Sequence, residues 1–120
     1  MVRILLLLPL AWLAACDSGG PAPARVEGGS VARGRVLLAQ YQCGACHQIA
    51  GVAAARGQLG PPLDSFGQRS YIAGSLPNTP DLLRHWLIDP PALKPGTTMP
   101  AMGVSEDDAR HMAAYLYSLP

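Results

Sequence analysis

Apolar residues crowd first between Ile4 and Leu13, behind one positive charge at Arg3 and ahead of small residues. That is the layout of a secretory signal over residues 1–15, and the run is too short for a comfortable membrane-spanning helix. From Asp17 to Gly29 the apolar pattern lapses into glycine, proline, alanine and serine, which cannot bury a core. Residues 16–29 therefore read as a flexible tether and residues 30–120 as the folded domain.

Within the domain, Val31, Arg35 and Leu38 share one helical stripe with Ala32, Val36 and Ala39 beside it, which predicts a helix from Val31 to Tyr41. Gly34 inside it costs helix stability, so something should pack closely there. Ile49 to Tyr71 shows no clear period and carries Gly51, Gly57, Gly60, Pro61, Pro62 and Gly67. It reads as loop with one short helix, and loop this long in a small domain is usually functional. Asn78 or Thr79 can cap a helix that starts at Pro80 and runs through Leu82, Leu83, Trp86 and Leu87 until Pro90 and Pro91 stop it. Pro91 to Gly103 should return to loop, carrying Met99 and Met102.

Ser105 then caps a last helix, with Glu106, Asp107 and Asp108 at its positive end. Its apolar face of Ala109, Met112, Ala113, Tyr115 and Leu116 needs a partner, and the Gly34 helix is the obvious one. His111 falls on the outer face. No alternating strand pattern and no internal repeat are visible, so the expected fold class is all-α, with three main helices plus loops.

The 120 residues suffice for one domain and not two. A formal charge of +1 argues against a nucleic-acid partner. Twelve prolines and thirteen glycines against 14% charged residues favour a loop-rich shell, which a large bound group filling the middle would suit.

The three cysteines are an odd count, so they do not form a closed disulfide framework. Leu13-Ala14-Ala15-Cys16 resembles the bacterial lipobox, whose cysteine becomes the acylated first residue of a mature lipoprotein. Multiple acyl chains at Cys16 would anchor the protein stably at a membrane surface. Asp17 points to the periplasmic or outer face of the bacterial inner (cytoplasmic) membrane.

Cys43-Gly44-Ala45-Cys46-His47 is the most specific motif. Its two thiols can add across the vinyl groups of a haem, and the histidine that follows is then positioned under the iron. A thioredoxin-type pair would need a strand before it and a parallel sheet around it. Zinc would need four ligands, and His47 beside Cys46 is poorly placed to complete a tetrahedron. A disulfide would leave His47 unexplained. For the second iron ligand the candidates are Met99, Met102, His85 and His111. Context favours Met99, in the loop Lys94-Pro95-Gly96-Thr97-Thr98-Met99-Pro100, where two prolines restrict the backbone.

Taken together with Gly34 and Leu38, Gly60-Pro61-Pro62-Leu63, Leu76-Pro77-Asn78-Thr79-Pro80 and Trp86-Leu87-Ile88-Asp89-Pro90, these motifs make the region from Ser30 to Leu119 resemble a class I cytochrome c domain. The resemblance extends in particular to the cytochrome c domain fused to subunit II of bacterial haem-copper terminal oxidases. It implies a cytochrome c fold around one covalent haem c, with Cys43 and Cys46 as thioether partners, His47 as the proximal ligand and Met99 as the distal one. It further implies that the Pro61 carbonyl accepts the other ring N–H of His47 and that Trp86 lies against the haem. Thr97 and Arg69 become candidates for its propionates. Leu38, Met112 and Tyr115 should fill the crossing at Gly34.

The implied function is electron transfer between respiratory redox partners, a haem-copper oxidase among them, and not enzymatic catalysis. No copper-binding domain precedes the motifs, so the expectation is a separate tethered carrier. The single lysine, Lys94, predicts docking that is mostly apolar and weakly dependent on salt. The competing readings are a haem enzyme or gas sensor with an open iron position, and a fixed cytochrome subunit of a respiratory complex.

Overall fold

The computed structural model describes residue 22 and residues 24–120; the signal segment and Cys16 lie outside the described residues. Four helices and one small hairpin follow in order: α1 (Val31–Gln40), β1 (Tyr71–Ile72), β2 (Leu76–Pro77), α2 (Pro80–Ile88), α3 (Pro90–Leu93) and α4 (Glu106–Ser118). Short 3-10 turns at Cys43–Ala45 and Phe66–Gln68 interrupt the long loops. Each of the longer helices begins on a side-chain cap: Ser30, Thr79 and Ser105 accept from the backbone N–H groups of Arg33, Leu82 and Asp108.

Helix α4 forms the centre. It is buried on nearly all sides, from Ala109 and then from His111 to Tyr117, with α1, α2 and the Phe66–Gln68 turn packed around it. Its closest neighbour is α1: a Cβ on Gly34 would lie 2.0 Å from the carbonyl oxygen of His111, so the two backbones touch with no side chain between them. Leu38, Met112 and Tyr115 are buried at this end of the core, as expected. The α1 stripe is different from the predicted one. Val31 and Val36 are 45% and 49% exposed, and the buried face is Gly34, Leu37 and Leu38. Close backbone approach, not the number of apolar side chains, selects the face that turns inward.

Three further expectations are corrected. His111 is buried, because α4 has no outer face at that position. Helix α2 does end before Pro90, as expected, but the stretch from Pro91 does not return at once to loop: Pro90 begins α3, with the Asp89 carboxylate accepting from Ala92 N–H at 3.3 Å, and proline at the first helical position loses no hydrogen bond. The hairpin has only two residues per strand, too short to show alternation, and turns through Ala73 and Gly74, both at positive φ.

Two hydrogen bonds tie the loops to this frame. The Tyr115 hydroxyl donates to the Ala50 carbonyl at 2.6 Å, beneath Gly51, where a Cβ would meet the phenol. The Tyr41 hydroxyl donates to Asp108 at 2.8 Å and, with Ser105 and Arg33, holds the Asp108 carboxyl below the usual carboxylate range. Tyr115→Phe removes the hydrogen bond that ties the exposed Ala50 loop to α4, so unfolding free energy should fall by about 1 kcal/mol. Urea denaturation followed by circular dichroism checks this.

Candidate functional site

The site begins where α1 ends. Gln42 takes a left-handed φ of 61°, turning the chain into the Cys43–Ala45 turn. The Cys43 carbonyl accepts from both Cys46 N–H (3.2 Å) and His47 N–H (3.0 Å), so the whole motif is wound into one compact coil. The two thiols are free and half-buried. Burial pushes the Cys43 thiol up to about 11, against the lowered value that marks a reactive thiolate.

A second loop, Ala55 to Leu63, lies across this coil and is held by backbone bonds from Gly57 to Gly44 (3.0 Å), Gly60 to Cys46 (2.8 Å) and Leu63 to Gln48 (2.9 Å). Three glycines make the contact possible. A Cβ at Gly44 would stand 2.5 Å from Ala55 Cα, one at Gly57 would stand 2.4 Å from the Ala45 carbonyl oxygen, and one at Gly60 would stand 2.3 Å from His47 Cε1. These close contacts are the part of the site that sequence reasoning missed. Glycine at 44, 57 and 60 was visible, but the backbone each one meets was not.

His47 is fixed by this loop. Its Nδ1 lies 2.7 Å from the Pro61 carbonyl, which can only accept; Nδ1 therefore carries the proton, and the lone pair of Nε2 is left free for an iron. Met99 is partly buried against the hydrophobic core, with its N–H donating to Thr97 Oγ1 at 3.3 Å, while Met102 is 45% exposed. His85 is exposed on α2, and His111 is engaged at the α1–α4 crossing. Of the four candidates for a second iron ligand, Met99 alone combines partial burial with a side chain not already bonded within the protein.

Trp86 is 7% exposed and belongs to the core. The Arg69 guanidinium donates to the carbonyls of Pro62 (2.5 Å) and Asp64 (2.8 Å) and stacks over Phe66. It thus holds the stretch just after Pro61. Asn78 supports it from below, donating to the Phe66 and Arg69 carbonyls and accepting from the Tyr117 hydroxyl at 2.7 Å. Among the described residues no group of three or more histidine, cysteine or acidic side chains converges on a metal-sized point.

Paired cysteines wound against an imidazole with one nitrogen pinned and the other free fit a covalently held haem, and the all-α shell around them is that of a haem electron-transfer protein. The chain belongs to the cytochrome c family, whose model matches residues 31–120. It is similar to cytochrome c oxidase subunit 2 of Alkalihalophilus pseudofirmus strain OF4, at 40% identity over 88 residues that cover 72% of this chain and 25% of that protein. The same subunit of Bacillus sp. strain PS3 is 31% identical over 93 residues, covering 74% of this chain and 26% of the relative. That of Bacillus subtilis strain 168 is 29% identical over 87 residues, covering 71% and 24%. The chain thus spans about a quarter of the length of these relatives. Family membership brings haem c, and with it a part in electron transfer.

Proposed function

We propose that this chain is an exported, membrane-tethered carrier of single electrons with one covalent haem, bound by Cys43 and Cys46 and ligated by His47 and Met99. The observation that carries this reading is the His47–Pro61 bond, which orients the imidazole and leaves one nitrogen for the iron. When bound, the haem supplies a reversible one-electron couple. His47 and Met99 would hold the group and leave no place for small ligands, and the protein would keep the couple in an apolar surrounding, which suits electron transfer and not catalysis. Trp86, Thr97 and Arg69 belong to the surrounding of that group.

Cys16 is the proposed lipid attachment point, residues 16–29 the tether, and the periplasmic or outer face of the bacterial inner membrane the location. Among the described residues no helix is long and apolar enough to cross a membrane. The proposed partners are respiratory redox proteins, with a haem-copper oxidase favoured by the likeness to oxidase subunit 2. The only lysine, Lys94, donates to the Ala73 carbonyl at 2.6 Å, and Arg33, Arg84 and Arg110 are paired with acids. Docking should therefore depend weakly on salt.

Protein produced with haem-attachment machinery tests the reading. Its pigment should stay with the polypeptide in acidified organic solvent, and carbon monoxide should leave the reduced spectrum nearly unchanged. Extractable pigment would refute covalent attachment, and a large carbon monoxide shift would indicate an open iron position and favour an enzyme or sensor. Cys16→Ser should move the protein from the membrane fraction to the soluble one.

A further inference from the structure

We propose that His111 is an acid-sensitive latch that holds the chain leading into the domain against α4. It is the one buried side chain among the described residues outside the apolar and tyrosine core, at 9% exposure. Its Nδ1 lies 2.9 Å from the backbone nitrogen of Ser30, the N-cap of α1 and 81 positions away in sequence. A backbone N–H can only donate, so Nδ1 bears a lone pair and the ring proton sits on Nε2. Nε2 in turn points toward Asp107, 3.5 Å from its Oδ2.

This bond closes a longer contact. Val26 is half-buried against the core, Gly29 N–H donates to the Val26 carbonyl at 3.1 Å, and a Cβ on Gly29 would stand 2.6 Å from Ala114 Cβ. Residues 26–30 therefore lie along α4. Among the described residues, Ser30 to His111 is the one hydrogen bond joining that segment to the helix.

The closed state requires a neutral ring. A second proton has only Nδ1 to occupy, and there it would face the Ser30 N–H, so two donors would confront each other and the bond would be lost. Imidazole is the side chain whose ordinary titration lies between about pH 5 and 8. The surrounding charges do little to compensate. Asp107, on the same helix, already pairs with Arg110 at 3.0 Å and with Arg33 of α1 at 3.4 Å. Arg35 of α1 and Arg25 and Glu27 of the leading segment are exposed, and none forms an ion pair with the ring.

Acidification should therefore loosen the segment from Val26 to Gly29, ahead of the Ser30 cap, and lengthen the free chain before the domain by roughly 13 Å. Where that chain is the tether proposed above, the domain gains reach and orientational freedom. Only this consequence rests on the tether reading, and the latch does not.

Nitrogen-15 NMR of the full chain, haem-loaded and reduced, tests the latch. Near neutral pH, at about 7.5, the His111 Nδ1 should show the unprotonated shift and a coupling to the Ser30 N–H. Between there and about pH 5, Ser30 amide protection should fall roughly tenfold beyond intrinsic exchange, in step with the His111 ring and not with exposed His85. In His111→Gln, whose side-chain oxygen accepts but does not titrate, that step should vanish. A protonated Nδ1 at the higher pH, a ring that never titrates, Ser30 protection indifferent to the ring, or a step that persists in the variant would each overturn the proposal. Should the variant fail to fold, the first three readings are made on the unaltered protein. None of these signals depends on how the haem is ligated, so a wrong haem assignment would show separately in the pigment tests.

Discussion

Gly34→Ala should unfold or nearly unfold the domain, although the same substitution in an ordinary helix interior stabilises by about 1 kcal/mol. The new methyl carbon would stand 2.0 Å from the His111 carbonyl oxygen, 2.7 Å from the carbonyl carbon and 2.9 Å from Tyr115 Cβ. The first two are backbone atoms of the most buried helix, so no rotamer change relieves the overlap. The α1–α4 crossing would have to open by more than about 1 Å, forfeiting dispersion contacts along the buried face of α1. Overpacking of this kind costs about 1–3 kcal/mol where side chains can adjust, and here the clash is with the main chain. A loss of about 3 kcal/mol or more is expected, against a total of about 5–15 for a domain. Guanidinium titration of the haem-loaded protein measures it. A midpoint equal to or above that of the unaltered chain would show that the helices do not meet as described. Ala32→Gly, on the exposed side of α1, should instead cost only about 1 kcal/mol.

The same residues show why part of the fold was legible in the sequence and part was not. Local chemistry announced itself: Ser30, Thr79 and Ser105 capped helices, Pro80 opened one, and five consecutive residues defined the thiol and imidazole turn. Gly34 signalled close packing because a glycine in a helix has a cost that something must offset. What could not be read was the partner atom of each close approach. Gly44, Gly57 and Gly60 looked like loop punctuation, yet each is the absence of a side chain required by a backbone or ring far along the chain. The role of Arg69 in bracing the loop could not be read because the carbonyls of Pro62 and Asp64 that it binds belong to a turn whose path the sequence does not specify. His111 was assigned to an outer face by helical periodicity, which presumes one exposed side; α4 is covered on nearly all sides, and a polar residue there survives because Ser30 N–H satisfies it.

Met99→Ala should convert a closed site into an open one while leaving the fold largely in place. In the proposed site, His47 and Met99 would both ligate the iron, and the thioether would keep small ligands out and the potential high. Met99 sits in a loop restrained at Gly96, which takes a positive φ of 85°, and at Pro100, with its N–H fixed on Thr97; deleting the side chain leaves those restraints intact. The backbone should therefore not collapse inward to supply another ligand. Met102 is exposed, His85 is on the outside of α2, and His111 is held at the helix crossing, so none is poised to substitute. The reduced variant should bind carbon monoxide, the oxidised one should lose its weak sulfur-to-iron band, and the potential should drop by on the order of 0.1 V, a fraction of the ~0.8 V that axial ligands command. The matching Met102→Ala should change none of these. If the two variants behave alike, or if Met102→Ala is the one that opens the iron, the distal ligand has been misassigned. If neither does, His85→Gln and His111→Gln decide which imidazole has taken its place.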